Sequence, residues 1–213
     1  MTVRADRTAR EAFAALWRRI GASTDAVPVY AFLVHAYAEP HRRYHTLDHI
    51  ASVLAALDAT HPSLTHPDAA EAALWFHDVV YDTHAIDSEA QSAARARTFL
   101  ESAGVSPNRV ARVVELILAT THTATPKDPD ARYVVDIDLS ILGAGEEEFD
   151  RYEWQIRQEY GWVPELTFRE RRAALLRKFL DRPTIFLTPE FRHLESPARA
   201  NLTRSLAHLG PDA

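Results

Sequence analysis

Apolar positions recur at three- and four-residue intervals along most of the chain, with charges between them, which is the period of a helix packed on one side. Across residues 4–20, Ala9, Phe13, Leu16, Trp17 and Ile20 form such a stripe, and Gly21 ends it. A second helix is predicted over residues 29–38, stopping near Pro40, with a short polar connection at 41–44. The next begins around His45 and carries Ile50, Val53, Leu54 and Leu57 on its buried face. Pro62 and Pro67 bracket a turn. Residues 69–80 are then apolar almost throughout, as in a helix surrounded by others.

Residues 85–103 form another helix, closed by Gly104. Ser106-Pro107 opens the following one, with Ser at the N-cap and Pro at the first helical position, and it runs towards Thr120. Residues 121–132, rich in Thr, Pro, Asp and Lys, read as a loop. The alternation Val134-Val135-Asp136-Ile137-Asp138 within residues 133–142 fits a short strand as well as a helix. Three more amphipathic helices are predicted over 146–160, 168–180 and 195–209, with Pro164, Pro183 and Pro189 at the joins. With only six glycines in 213 residues and abundant Ala, Leu and Arg, the expectation is an all-α fold. No repeat or linker divides the chain, so a single helical domain over residues 1–213 is expected.

Composition narrows the chemistry. There are no cysteines, which excludes disulfides, thiolate zinc sites, iron–sulfur clusters and cysteine nucleophiles, and leaves His, Asp and Glu to hold any metal. Thirty acidic against 24 basic residues give a net charge of −6, unlike the broad positive surface of a nucleic-acid binder. The first ten residues lack an apolar signal region, and no run approaches the ~18 apolar residues of a membrane span. A cytoplasmic protein, with no membrane partner and no extended nucleic-acid surface, is expected.

Three segments insert polar ligands into apolar surroundings. His45 and His49, four residues apart, share one face if both are helical. Trp75-Phe76-His77-Asp78 sets an imidazole beside a carboxylate at the end of the most apolar helix, and Asp136 and Asp138 interrupt a Val/Ile/Leu stretch. Burying such groups is costly unless each is hydrogen-bonded or bound to a cation. Two His and two Asp make a mixed nitrogen and oxygen set suited to Mn²⁺, Mg²⁺, Co²⁺, Fe²⁺ or Zn²⁺, with positions left for water and substrate. Taken singly, each motif is as readily structural: a lone helical His such as His35, His61, His66 or His208 is ordinarily a surface or satisfied core residue.

In their order, these motifs resemble the HD superfamily of metal-dependent phosphohydrolases: a helix bearing His, a second ending in His-Asp, and a later Asp followed by Leu, spanning residues 45–142. Ala73-Leu74-Trp75-Phe76-His77-Asp78-Val79-Val80-Tyr81-Asp82 is similar to the signature helix of that superfamily, and Ile137-Asp138-Leu139-Ser140 to its final Asp motif. The resemblance implies metal roles for His77, Asp78 and Asp138. His49, followed by Val53 and Leu57, is similar to the family's first ligand and is preferred to His45. Arg42-Arg43-Tyr44-His45, Asp87-Ser88-Glu89, Ala119-Thr120-Thr121-His122, Ile156-Arg157-Gln158-Glu159-Tyr160 and Glu195-Ser196-Pro197-Ala198-Arg199-Ala200-Asn201 extend the likeness to a subgroup of predicted HD phosphohydrolases of similar length.

The resemblance thus implies an HD-type bundle with its metal-binding part over residues 41–143, hydrolysing a phosphate ester, with nucleotides the first class to test, by metal-activated water. Asp82 is the candidate to orient the water or move its proton; His122 is a candidate to contact phosphate, shuttle protons or bind a second metal, with a helix-terminal His on the dipole the alternative; and Arg43 and His45 are candidates to hold a substrate phosphate, with a solvated loop cluster the alternative for Arg42 and Arg43. Tyr81 departs from the acidic residue of HD alarmone hydrolases. The absence of Gly-Lys after His-Asp, and of a Gly-rich phosphate loop, argues against cyclic-dinucleotide and ATP chemistry. The alternatives are a regulatory protein that binds metal and nucleotide without turnover, and a structural module in which the four ligands form only buried hydrogen bonds.

Overall fold

The computed structural model describes residues 6–60 and 63–210. The expected start of the first helix at Arg4, together with His61 and Pro62, lies outside the described residues. All regular structure among the described residues is helical, as the spacing predicts, and none is strand. The chain forms two compact units that divide between Val135 and Asp136.

The first unit contains α1 (Arg10–Arg19), α2 (Val27–Tyr37), α3 (Leu47–Thr60), α4 (Pro67–Phe76), α5 (Ser88–Ser102), α6 (Pro107–Ala119) and most of α7 (Pro129–Asp138). α4 packs against α1, α3, α5 and α6, which is why it can be apolar on all sides. Ala70, Ala73, Leu74, Trp75 and Phe76 are fully buried. Phe13 packs edge-on against Trp75 at 5.1 Å between centroids, with Trp17 and Tyr30 completing the aromatic cluster around Phe13.

Both edges of α4 are fastened by side chains from elsewhere. Just ahead of it, the buried Asp130 carboxylate accepts hydrogen bonds from the amides of Thr65 (2.8 Å) and His66 (3.0 Å) and from Arg112 of α6 (2.9 Å), and lies 3.1 Å from His66 Nδ1. His66 therefore has the structural role expected of it. On the helix itself, Glu71 is buried and paired with Arg7 (2.9 Å) and Arg19 (2.6 Å).

Several boundaries differ from those predicted. α3 starts at Leu47, so His45 lies in the preceding loop and does not share a helical face with His49. α4 stops at Phe76, with His77 at its C-cap, and residues 78–82 continue as turn, bend and irregular chain. Asp82 is consequently not one helical turn beyond Asp78. The ambiguous stretch 133–142 is helix to Asp138 and a 3-10 turn from Leu139 to Gly143. Ser106 occupies the predicted N-cap, but its hydroxyl makes no capping bond.

The second unit holds the end of α7, that 3-10 turn, α8 (Glu146–Glu159), α9 (Glu165–Leu180), a 3-10 segment at Pro189–Leu194 and α10 (Glu195–Leu209). α10 packs on α9 and on both 3-10 segments. Gly143 is required by this packing: a Cβ there would lie 2.6 Å from that of Leu194. Asn201 donates to the carbonyls of Leu142 (3.0 Å) and Ala144 (2.9 Å). Glu195 accepts from the amides of Ile185 and Phe186 and from Arg199, whose other nitrogens hold the carbonyls of Leu180 and Arg182. The charges of the 195–201 segment are thus spent on shaping a loop.

Burial by itself would raise the Asp130 carboxyl, but the donors from Thr65, Arg112 and His66 outweigh it and hold the group below the usual range. A depressed carboxylate contributes stability above its unfolded pKa of about 4 and loses it as pH falls through the folded value. Asp130→Ala is therefore expected to lower the unfolding free energy by about 3 kcal/mol at pH 7, because it strands two amides and leaves Arg112 with Asp128 and Glu115 alone. Urea denaturation across pH checks this: the gap between wild type and variant should close below about pH 4.

Candidate metal centre

Where α4 ends, its free carbonyls are claimed by side chains, and this shapes the site. His77 Nδ1 lies 2.9 Å from the Leu74 carbonyl oxygen. Since a carbonyl can only accept, Nδ1 carries a proton, and in the neutral ring Nε2 would present the lone pair. A histidine that ligates metal characteristically has its other nitrogen fixed in this way.

His77 Nε2 is 3.2 Å from His49 Nε2, and Asp78 Oδ2 is 3.0 Å from His77 Nε2 and 3.7 Å from His49 Nε2. The imidazoles are almost wholly buried, at 2% and 1% side-chain exposure for His49 and His77, whereas the Asp78 carboxylate retains 16%. Two ligands bonded at ~2.1 Å to one ion are separated by about 3.0 Å at a right angle and about 3.4 Å at the tetrahedral angle. The three donors have the spacing of ligands around a common cation, with the Asp78 carboxylate partly exposed to solvent.

Around this group, His45 stacks on Tyr81 at 4.1 Å between centroids and stands edge-on to His49 at 5.9 Å. Arg42 does not reach outward for an anion. It is buried and donates to the carbonyls of Asp78 (2.7 Å), Val79 (3.1 Å) and His45 (3.2 Å). Arg43 is exposed and donates to the carbonyls of Pro40 and Arg42. Ser92, fully buried on α5, accepts from the Val80 amide and donates to its carbonyl, which pins the chain leaving the His-Asp pair.

Asp82 is exposed in the turn beyond, where it accepts from the amide of His84, a bond that holds its carboxyl below the usual range. His122 follows the end of α6 in a left-handed backbone conformation, φ 54°. Asp138 is the last residue of α7 and belongs to the second unit, where its charge, after loss of hydration, is among the causes that push the Tyr152 hydroxyl up.

Asp136, equally conspicuous in sequence, is structural. Its fully buried carboxylate accepts from the amides of Leu187 (2.9 Å) and Thr188 (2.7 Å) and from the Thr188 hydroxyl (2.6 Å). These donors compensate its charge at the start of the 3-10 segment, although burial still raises its carboxyl. The bracing roles of Arg42 and Ser92 could not be read from the sequence, because their partners are backbone atoms of other segments.

Compared with known proteins, the chain matches no family model, no curated protein and no solved structure.

Asp136→Ala is expected to cost about 2–3 kcal/mol in chemical denaturation, through the donors it strands.

Proposed function

We propose that this protein is a metal-dependent phosphohydrolase of the HD type, with a divalent cation held by His49, His77, Asp78 and Asp138. The observation that carries the reading is the 3.0–3.7 Å spacing of the His49, His77 and Asp78 donor atoms, with the His77 tautomer set for ligation. Asp138 completes a set of two imidazoles and two carboxylates, on the strength of the resemblance of Ile137-Asp138-Leu139-Ser140 to the final HD motif. A cation bound there would act as a Lewis acid on a phosphoryl oxygen and make a water acidic enough to attack phosphorus at neutral pH.

The chain's own groups then divide the remaining work. Arg43 and His45 supply positive charge and N–H donors to the substrate phosphate, with His45 oriented by its stack on Tyr81. Asp82 is a poor proton acceptor because its carboxyl is held low, so its part is to orient a water by accepting its hydrogen bond. His122 carries the proton to the leaving oxygen. The substrate is a small phosphate ester, with nucleotides first among the classes to test. Among the described residues no helix is long and apolar enough to cross a membrane.

The test is release of phosphate or pyrophosphate from a panel of nucleotides and simple esters with Mn²⁺, Mg²⁺, Co²⁺ or Zn²⁺. Turnover should require the metal, and His77→Ala and Asp78→Ala should each lower it by at least about a hundredfold while circular dichroism stays helical. Stoichiometric metal without turnover of any ester would replace this reading with a regulatory metal-binding protein; no metal binding at all would make the cluster structural.

A further inference from the structure

Arg42 is the one guanidinium whose side chain is wholly inaccessible, at 0% exposure, among those whose ion pairs are described, and it lies in the loop between α2 and α3 rather than on a helix. Its Nε donates to Glu39 (3.0 Å), Nη1 to the carbonyls of Asp78 and His45, and Nη2 to that of Val79. The rings of Tyr37 and Tyr81 lie 5.2 and 5.4 Å from its central carbon. Burying a full charge to bind carbonyls is expensive, and a helix end needs no such device, since glycine or water caps most of them. What the guanidinium adds is a rigid planar fork that binds several acceptors in fixed directions at once.

Those acceptors lie on two separate segments. His45 is four residues ahead of His49, in the loop that leads into α3, and Asp78 is itself a proposed ligand, gripped by its own carbonyl at 2.7 Å. We infer that Arg42 is a positioning residue of the proposed metal centre, fixing the separation and orientation of His49 and Asp78 by tying the α2–α3 loop to the turn after α4. The inference rests on the metal-binding reading of the preceding subsection. The same bonds also brace the turn that follows α4, so a merely structural brace of that helix end is the competing account. Tyr37 distinguishes the two, because its hydroxyl donates to the Trp75 carbonyl (2.9 Å) at the same helix end, and Tyr37→Phe removes that bond while leaving the Arg42 guanidinium and its acceptors in place.

The experiment is Co²⁺ titration of the full chain, following both affinity and the visible absorption of the bound ion, in wild type, Arg42→Lys, Arg42→Gln and Tyr37→Phe. Lysine keeps the charge and loses the fork; glutamine keeps a side-chain donor if lysine does not fold. Either Arg42 variant, at a temperature where its helical signal is intact, should bind Co²⁺ about tenfold or more weaker with an altered spectrum. Tyr37→Phe should lower the melting temperature and leave affinity and spectrum unchanged. A folded Arg42 variant with wild-type affinity and spectrum would overturn the positioning role alone. Equal loss of affinity in Tyr37→Phe would also overturn it, in favour of a structural brace. Failure of wild type to bind Co²⁺ would overturn the metal reading and this inference with it.

Discussion

The arrangement of the first unit depends on how α4 ends inside protein. A helix leaves its last carbonyls without intrahelical donors, and where water is excluded other groups must supply them. Here the supply comes from His77 to Leu74 and from Tyr37 to Trp75, while Arg42 serves the carbonyls of Asp78 and Val79 in the turn that follows. Each of these bonds also orients something: the His77 ring, the end of α2, and the turn that carries Asp78. The requirement to satisfy backbone carbonyls thereby becomes the means of aiming ligands.

The approach to the same helix obeys the complementary rule. Donors there need an acceptor, and the Asp130 carboxylate serves the Thr65 and His66 amides while Arg112 holds it from α6. Between these anchors α4 is clamped by Trp75 against Phe13 and by Glu71 against Arg7 and Arg19. Rigid support from packed elements is what a ligand set needs to keep its spacing in the absence of the ion.

Much of this was legible in the sequence. The helical period was plain in Phe13, Leu16, Trp17 and Ile20, and the apolar run around Trp75 announced a central helix. What the sequence could not resolve were events one residue wide. Nothing local indicates that α3 waits until Leu47, which removes His45 from the face it would have shared with His49, or that α4 releases at His77, which breaks the spacing of Asp78 and Asp82. Residues 133–142 alternate like a strand because Asp136 and Asp138 punctuate apolar positions, yet Ala131, Val134, Val135 and Ile137 are all buried on a helix. The candidate site was legible as residue types; its bracing was not, because Arg42 and Ser92 act on carbonyls and amides, and backbone atoms leave no signature in sequence.

A buried carboxylate therefore points to function only once its company is known. Asp130 and Asp136 are met by N–H and O–H groups and Glu71 by guanidinium groups, all of which can only donate to a carboxylate, so charge and hydrogen bonding close locally. Asp78 instead meets two imidazole nitrogens, and the nearer belongs to a ring whose single neutral-state proton is committed to Leu74. A lone pair and a carboxylate 3.0 Å apart are reconciled by a positive group between or beside them, which a proton on His49 Nε2, 3.2 Å from His77 Nε2, or a bound cation would supply. A divalent cation would be attracted by both groups at once. That electrostatic difference, more than the presence of His and Asp, separates the proposed ligands from the structural carboxylates of the same chain.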